Sequence, residues 1–431
     1  MDLNKLKNNI LKKGADDVIL TSVNSNVNRI KFVNNKIVKT GTHNLNALNI
    51  FVAKDKKLVS TSVKDISEKV IAKTLQELFS FIKKTKPSQT YKGIAEGPFK
   101  YEQIPDTYDK QILNIDGVDY VEAGINAALE NAERASGIFE SETSELTLVS
   151  SNNVEASEKA SSLNFSIRSF ASKEASGQGT CSSRILKNFN TEKEGRTSGE
   201  IAKKALNPEL GPNGKFDVIF DFQAISNLLA YVADAASIFN VEAGLSFLAD
   251  KSNTSLGSFT LIDDATLPNG FNSTPFDEEG SPTKRNIIVD KGILKTYLHN
   301  ASTAKRYKVP NTSNSGIISP HPWNIILEGK QGNVFDIKKG LYITNVWYTR
   351  FQNYSEGTFS TIPRDGAFII ENGAIKKSIK NIRISDNILN ILKNIYMVSK
   401  EKEQTRTWDS PMPIITPKVL VREVNITKPV I

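Results

Sequence analysis

The chain has 431 residues, enough at about 150 residues per domain for two or three domains, and its 55 Lys and Arg against 47 Asp and Glu leave a net charge of +8. Hydrophobic residues make up 39% and charged residues 24%, a globular balance that excludes wholesale disorder. One cysteine excludes a disulfide framework or a multi-cysteine metal centre within the chain, and three histidines leave few routes to a His-rich one.

The first residues, MDLNKLKNNILKKGADD, lack the apolar region of a secretory signal, and no run approaches 18 apolar residues. A cytoplasmic protein without a membrane span is expected. Of the basic residues 43 are lysines and 12 arginines, dispersed in short clusters such as Lys54, Lys56 and Lys57. Base and phosphate recognition favours the arginine fork, so this charge reads as a solvated surface and argues against a nucleic-acid partner.

Leu3, Leu6, Ile10 and Leu11 recur at helical spacing before Gly14, which predicts a first helix over 1–15. The period then changes to two, and Asp17 to Val63 reads as a β-meander with turns at Asn34-Asn35 and Asp55-Lys56. Asp65 and Glu68 have capping-box spacing, ahead of an apolar stripe of Ile66, Val70, Ile71, Leu75, Leu78, Phe79 and Ile82. Residues 87–108, with Pro87, Pro98 and Pro105, read as a linker or draped loop. A helix over Gly117 to Ala135, strands at Leu146–Val149 and Leu163–Phe170, and a helix over Glu192 to Ala205 follow. The run NPELGPNG at 207–214 punctuates the chain. Beyond it come a strand, Phe216–Phe220, and a helix from Phe222 to about Leu248. Turns at Pro268-Asn269-Gly270, Asp290-Lys291-Gly292 and Asn372-Gly373 then separate β-rich runs, with helical character returning only at Ile388–Val398. The expected class is α+β: N-terminal units of helix and β-meander at 1–86 and 87–212, then a mainly-β domain at 213–431.

The chemistry is marked by what the chain lacks. Zinc hydrolysis on a helix needs two imidazoles one turn apart, as in His-Glu-x-x-His or His-Glu-x-x-x-His. His43, His299 and His321 stand far apart in sequence, and neither motif occurs. Cys181, in Gly-Thr-Cys-Ser-Ser, has no adjacent base to activate it and reads as a small packed thiol. There is no G-x-S-x-G, P-loop or dinucleotide fingerprint. Asp277, Glu278 and Glu279 before Gly280 read as an acidic turn, with a hard-cation site as the alternative.

The stretch FDEEGSPTKRNIIVDKGILKTYLHNASTAKRY, Phe276 to Tyr307, resembles the signature of the TldD/PmbA family, first named for modulation of DNA gyrase. Tyr342 to Ile395, with Gly357-Thr358-Phe359-Ser360, Ile370-Glu371-Asn372-Gly373-Ala374-Ile375 and Ile382-Arg383-Ile384-Ser385-Asp386-Asn387, is similar to the family's closing region. The resemblance implies a cytosolic peptidase system of two related subunits forming a hollow dimer that takes unfolded or extended peptides. The TldD type carries His-Glu-x-x-x-His and a C-terminal cysteine as zinc ligands; the PmbA (TldE) type shares the fold without them.

This chain matches the second type. The corresponding segment, Ala235 to Leu248, contains Glu242 but no histidine, and residues 396–431 hold no cysteine. The run Leu245-Ser246-Phe247-Leu248-Ala249-Asp250 also resembles PmbA-type chains. One departure is Thr361-Ile362-Pro363-Arg364-Asp365-Gly366, where many bacterial members have small residues. The resemblance therefore implies a metal-free subunit with no catalytic, metal-binding or cofactor-binding residue of its own. Zinc is expected only in a TldD-type partner, and the partner is that subunit or a second copy of this chain. Candidate peptide-groove or interface residues are Glu242, His299, Trp347, Tyr348, Arg350, Arg364 and Asp365, aromatics and arginine being what such surfaces use. The alternatives are a stand-alone hydrolase with a non-metal mechanism and a DNA- or gyrase-associated binding protein.

Overall fold

A computed structural model describes residues 1–316 and 319–428, so the last three residues of the expected third unit lie outside it. Helix α1 (Leu3–Lys12) is capped by Asp2, whose carboxylate accepts from Lys5 N at 3.0 Å. The period-two stretch forms β1 (Asp17–Val33), β2 (Lys36–Lys54) and β3 (Lys57–Val63). Asn34, Asn35, Asp55 and Lys56 all have positive φ, as two-residue hairpin turns require. Helix α2 (Glu68–Lys84) starts later than expected. Asp65 Oδ1 accepts from Ser67 N at 2.9 Å, a local turn that moves the cap position to Ser67, so the Asp65–Glu68 capping box does not form.

Residues 87–108 drape over both halves of the molecule. Tyr91 Oη donates to Asp17 (2.8 Å), Lys92 N to Ser302 Oγ (2.9 Å) and Tyr101 Oη to Gly280 O (2.8 Å). Helix α3 (Gly117–Leu129) ends short of Ala135, because β4 (Arg134–Ser150) has already begun. Next come β5 (Glu155–Phe170), β6 (Ser176–Ser183) and α4 (Thr191–Lys204). Strand β6, SGQGTCSS, has no apolar alternation to announce it. Its glycines are there for contact: a Cβ on Gly177 would come within 2.2 Å of Ser198 O in α4.

Strands β1–β6 form one antiparallel sheet in the order β3-β2-β1-β4-β5-β6, drawing on both the 1–86 and 87–212 stretches. Its helical side carries two cores. At one end α1 and α2 cover Val18, Leu20, Leu48, Ile50 and Val52; at the other α3 covers Ile30, Phe32, Phe139 and Phe165. Between them the strands turn polar, with Asn26 Nδ2 donating to Asn44 Oδ1 at 2.8 Å. Alternate residues Ile19, Phe51, Leu148 and Ala156 pack instead with Ile94 and Phe276.

The C-terminal half begins with β7 (Glu209–Leu210), β8 (Gly214–Phe220), α5 (Phe222–Ala235) and α6 (Ile238–Glu242). Then follow β9 (Phe259–Asp264), β10 (Arg285–Asp290), β11 (Ile293–Leu294), α7 (Ala301–Tyr307), β12 (Ile325–Gly329) and β13 (Lys339–Ile343). The remainder is β14 (Val346–Asn353), β15 (Thr358–Pro363), β16 (Ala367–Glu371), β17 (Ala374–Lys380), β18 (Arg383–Asn387), α8 (Ile388–Lys393), β19 (Ile395–Thr405) and β20 (Ile414–Thr427). The main path of the large sheet runs β11-β10-β9-β12-β20-β8-β13-β16-β17-β7, with β18 and β19 also pairing to β20. Helix α5 buries Ile225, Leu228, Leu229 and Val232 in the core above it. The α+β class and the strand-rich C-terminal half both hold.

Four local expectations are corrected. The helix from Phe222 breaks at Ala236–Ser237, where Leu298 inserts: Leu298 N donates to Ala236 O (2.8 Å) and Leu298 O accepts from Ile238 N (3.1 Å). Helix α7 appears where the sequence pattern predicts only strand and turn, started by a capping box between Asn300 and Thr303. Helix α8 stops at Lys393, and Ile395 onward is strand. Pro268-Asn269-Gly270 joins no hairpin; it lies in the 265–284 loop, where Asn269 Oδ1 accepts from Ser183 Oγ (2.9 Å) and Arg184 N (2.8 Å). The other two turns do close hairpins, β10–β11 and β16–β17.

Candidate functional site

The break after α5 sets the position of Glu242, the last residue of α6, next to α7. Its carboxylate pairs with the Arg306 guanidinium. His299 lies within the field of both groups, with its ring 5.6 Å from that of Tyr307. The imidazole is buried, Nδ1 faces Thr303 Oγ1 at 3.3 Å, and Thr312 Oγ1 accepts from His299 N at 2.6 Å. Burial holds the imidazole down to about 4 against the opposing pull of Glu242, so the ring is neutral near pH 7.

The structure thus brings Glu242 and His299 together, and the zinc expected of TldD-type chains can be tested against them. A zinc ion takes three or four N, S or O donors converging on one point. Here there is one imidazole and one carboxylate, the latter already engaged by a guanidinium. Among the described residues no three His, Cys, Asp or Glu side chains gather as metal ligands. The donor set does not fit zinc. Cys181 Sγ lies 3.7 Å from Asn190 O, and burial pushes its thiol well up, which disfavours a nucleophilic thiolate.

Trp347, Tyr348, Arg350, Arg364 and Asp365 gather around the β14–β15 hairpin. A bulge between Trp347 and Arg350 places Tyr348 at φ 56°, uncommon for a bulky side chain, and leaves its ring exposed. The Arg364 guanidinium stacks 3.0 Å from the Trp347 ring centre, and Arg350 lies 5.4 Å from that of Tyr348. Trp408, which no motif in the sequence marks, meets Trp347 edge-on at 5.0 Å and is 66% exposed.

Asp365 plays a different part. Its carboxylate is buried and accepts from Arg168 Nε (2.7 Å), Ser176 Oγ (2.5 Å) and Asn345 Nδ2 (2.6 Å). It ties β5 and β6 of the first sheet to the large sheet.

Where the first sheet meets the signature turn lies a cavity of about 470 Å³, lined in part by Glu142, Glu158, Arg184, Phe271, Glu278 and Trp323. Arg184 is buried and donates to the carbonyls of Phe271 (2.9 Å), Ser273 (3.0 Å) and Thr107 (2.9 Å). No local pattern marks this arginine, because its partners are backbone oxygens far along the chain. The acidic triplet is largely internal. Asp277 accepts from the backbone N–H groups of Glu279, Ser281 and Ser315, and Glu279 from that of Ala301. Burial raises both carboxyls above the usual carboxylate range.

Residues 213–428, half of the chain, match the family model described as the PmbA/TldA metallopeptidase C-terminal domain. The chain belongs to the PmbA/TldD family. A metalloprotease of Methanocaldococcus jannaschii is 30% identical over 233 residues, 47% of each chain. Metalloprotease PmbA of Escherichia coli O157:H7 is 25% identical over 401 residues, 83% of this chain and 81% of its own. The match therefore spans about half the length of the first relative and most of the second. TldE from Thermococcus kodakarensis superposes with a TM-score of 0.87 over 99% of each chain at 21% identity, which establishes the common PmbA/TldD fold. Among the described residues no helix is long and apolar enough to cross a membrane.

Proposed function

We propose that this chain is the PmbA (TldE)-type, metal-free subunit of a cytoplasmic peptidase complex. It pairs with a zinc-bearing TldD-type subunit, or with a second copy of itself, and helps to hold unfolded or extended peptides while the partner cleaves them. The observation that carries this reading is the state of Glu242. In the segment where the resemblance places the zinc motif, the carboxylate pairs with Arg306 and its histidine neighbour is a buried, neutral imidazole. A general base acting on metal-bound water needs a free carboxylate beside a metal. Long strands and an aromatic, arginine-bearing hairpin suit backbone pairing with an extended peptide.

The test is reconstitution. The chain is purified alone and with the TldD-type subunit of its source, zinc is measured in each, and cleavage of an unfolded peptide is followed. The expected result is zinc only in the complex and faster cleavage with this chain present. Stoichiometric zinc in the isolated chain, or cleavage by the partner that is indifferent to this chain, overturns the proposal.

A further inference from the structure

Strand β5 spans Glu155–Phe170, but β6 pairs only with its later part, from Leu163 onward. Along the earlier part the same edge faces the draped segment, which touches down twice. Gly97 N donates to Asn152 O (2.8 Å), and Thr107 O accepts from Ser161 N (3.1 Å). Between these anchors the segment bows away as a strap over a cavity of about 900 Å³, lined in part by Tyr101, Ile104, Tyr108, Ser157, Glu158 and Lys159. Strand phase decides which backbone groups face that space. Val154 O accepts from Ser150 N on the β4 side, whereas Ser161 N turns to the strap, so the odd-numbered residues between them present N–H and C=O to the strap side. Among the described residues the backbone groups of Ser157 and Lys159 find no partner there. The strap is poorly suited to complete the ladder, since Pro98 and Pro105 have no N–H to give. A roofed but unpaired strand edge is a template for one more strand.

Glu158, between those two residues, adds a chemical preference. It lines this cavity and also the one of about 470 Å³ that Glu142 and Glu278 line. Its compensation is incomplete. Arg184 lies within its field but spends its terminal nitrogens on three carbonyls. Thr274 Oγ1 donates to it at 3.1 Å, yet the same hydroxyl proton is also within reach of Phe276 O at 3.0 Å. Burial still holds the Glu158 carboxyl above the usual carboxylate range. Lys159 is engaged elsewhere, with Glu145 at 2.5 Å, and Arg406 lies in the field of Glu140 and Glu142.

We propose that an extended peptide adds to β5 beneath the strap, hydrogen-bonded to the backbone of Ser157 and Lys159, with a lysine or arginine side chain opposite Glu158. This deepens the peptide-binding reading above and rests on it. Every pairing in the first sheet is antiparallel, and the added strand continues that pattern. Ser157 and Lys159 then form the hydrogen-bonded pairs, about 7 Å apart along the strand. The residue opposite Glu158 falls in the non-hydrogen-bonded pair, where facing side chains lie closest. Its cation meets the carboxylate that burial leaves under-compensated.

The experiment uses the full chain, alone and in its complex, with labelled peptides of one sequence that carry lysine or norleucine at the central position. Fluorescence anisotropy reads affinity, and hydrogen exchange reads the amides of Ser157 and Lys159. The lysine peptide is expected to bind about tenfold more tightly than the norleucine one, and Glu158→Gln should erase that preference. Both amides should exchange more slowly with peptide bound. A lysine peptide N-methylated at the two residues flanking the lysine cannot donate to the edge and should bind about tenfold or more weakly, a test that needs no change in the chain. Undiminished binding of the methylated peptide, or unchanged exchange at both amides, overturns the inference and leaves the peptide-binding reading standing. So does equal affinity for lysine and norleucine, or a preference that survives Glu158→Gln. Failure of every peptide to bind overturns both.

Discussion

Asp365→Ala is the sharpest test of how the two sheets are held together. The wild-type carboxylate has no exposed surface and serves three donors: Arg168 and Ser176 from the first sheet, and Asn345 from the second half. A hydrogen bond to a charged partner contributes about 1.5–3 kcal/mol and a neutral donor about 1 kcal/mol. The sum, about 3–5 kcal/mol, agrees with the usual cost of removing one partner from a buried ion pair. Arg168 is 27% exposed and recovers some hydration once its partner is gone, which places the expected loss near the lower end, about 3 kcal/mol. Urea unfolding followed by intrinsic fluorescence reads it directly, since Trp323, Trp347 and Trp408 all lie in the C-terminal half. The midpoint should fall at constant slope. Asp365→Asn, which keeps the shape and one acceptor oxygen, should lose about half as much. A loss below about 1 kcal/mol for the alanine variant would refute the view that this carboxylate clamps the sheets.

Other outcomes follow from the same structure. Glu279 and Asp277 hold protons more tightly folded than unfolded, so their contribution is full below the unfolded carboxyl values, about 4, and is lost as pH rises through the raised folded values. Stability should therefore decline from about pH 5 towards pH 8, and Glu279→Gln, which retains an acceptor for Ala301 N, should flatten the decline; urea midpoints across that range with an unaltered slope would count against it. A Cβ at Gly195 would lie 2.0 Å from Gly124 O where α4 crosses α3, so Gly195→Ala should cost at least about 1–3 kcal/mol, and an unchanged melting temperature would contradict so close a crossing. Glu242→Ala removes an ion pair whose side chains keep part of their solvent contact and should change stability by only about 1 kcal/mol. In the reconstituted complex it should leave the cleavage rate within about twofold, whereas loss of a general base would lower it about a hundredfold or more.

Local pattern was enough for the elements that local chemistry controls. The meander of β1–β3 could be read because Asn34-Asn35 and Asp55-Lys56 occur where the apolar alternation pauses, and those residue types tolerate the left-handed backbone that tight hairpins need. The break at Ser237 could not, because it is imposed by Leu298 some 60 residues later, and the apolar period runs through it undisturbed. Strand β6 escaped notice for the opposite reason: its side chains are small so that α4 can touch the backbone, leaving no alternation to read. At the candidate site, Trp347 and Arg364 stood out as residue types that recognition surfaces use, and Glu242 through the resemblance. Trp408 and Arg184 did not, since each acquires meaning only from neighbours that the fold brings from other segments.

Strand β20 has a consequence for how the molecule is made. Among the described strands, the β11-β10-β9-β12 ribbon and the β8-β13-β16-β17-β7 ribbon pair with each other only through it, and β18 and β19 also pair with it. It is the last strand of the described chain, about 200 residues after β8 begins. During synthesis from the N-terminus, the first sheet has all its strands by Ser183, while the two later ribbons must wait with bare edges at β8 and β12. A nascent chain stalled before Ile414 thus carries every strand of the first sheet and, behind it, two half-sheets with unpaired edges. Holding such an intermediate apart from its neighbours until the keystone strand arrives is the problem this topology sets for the cell.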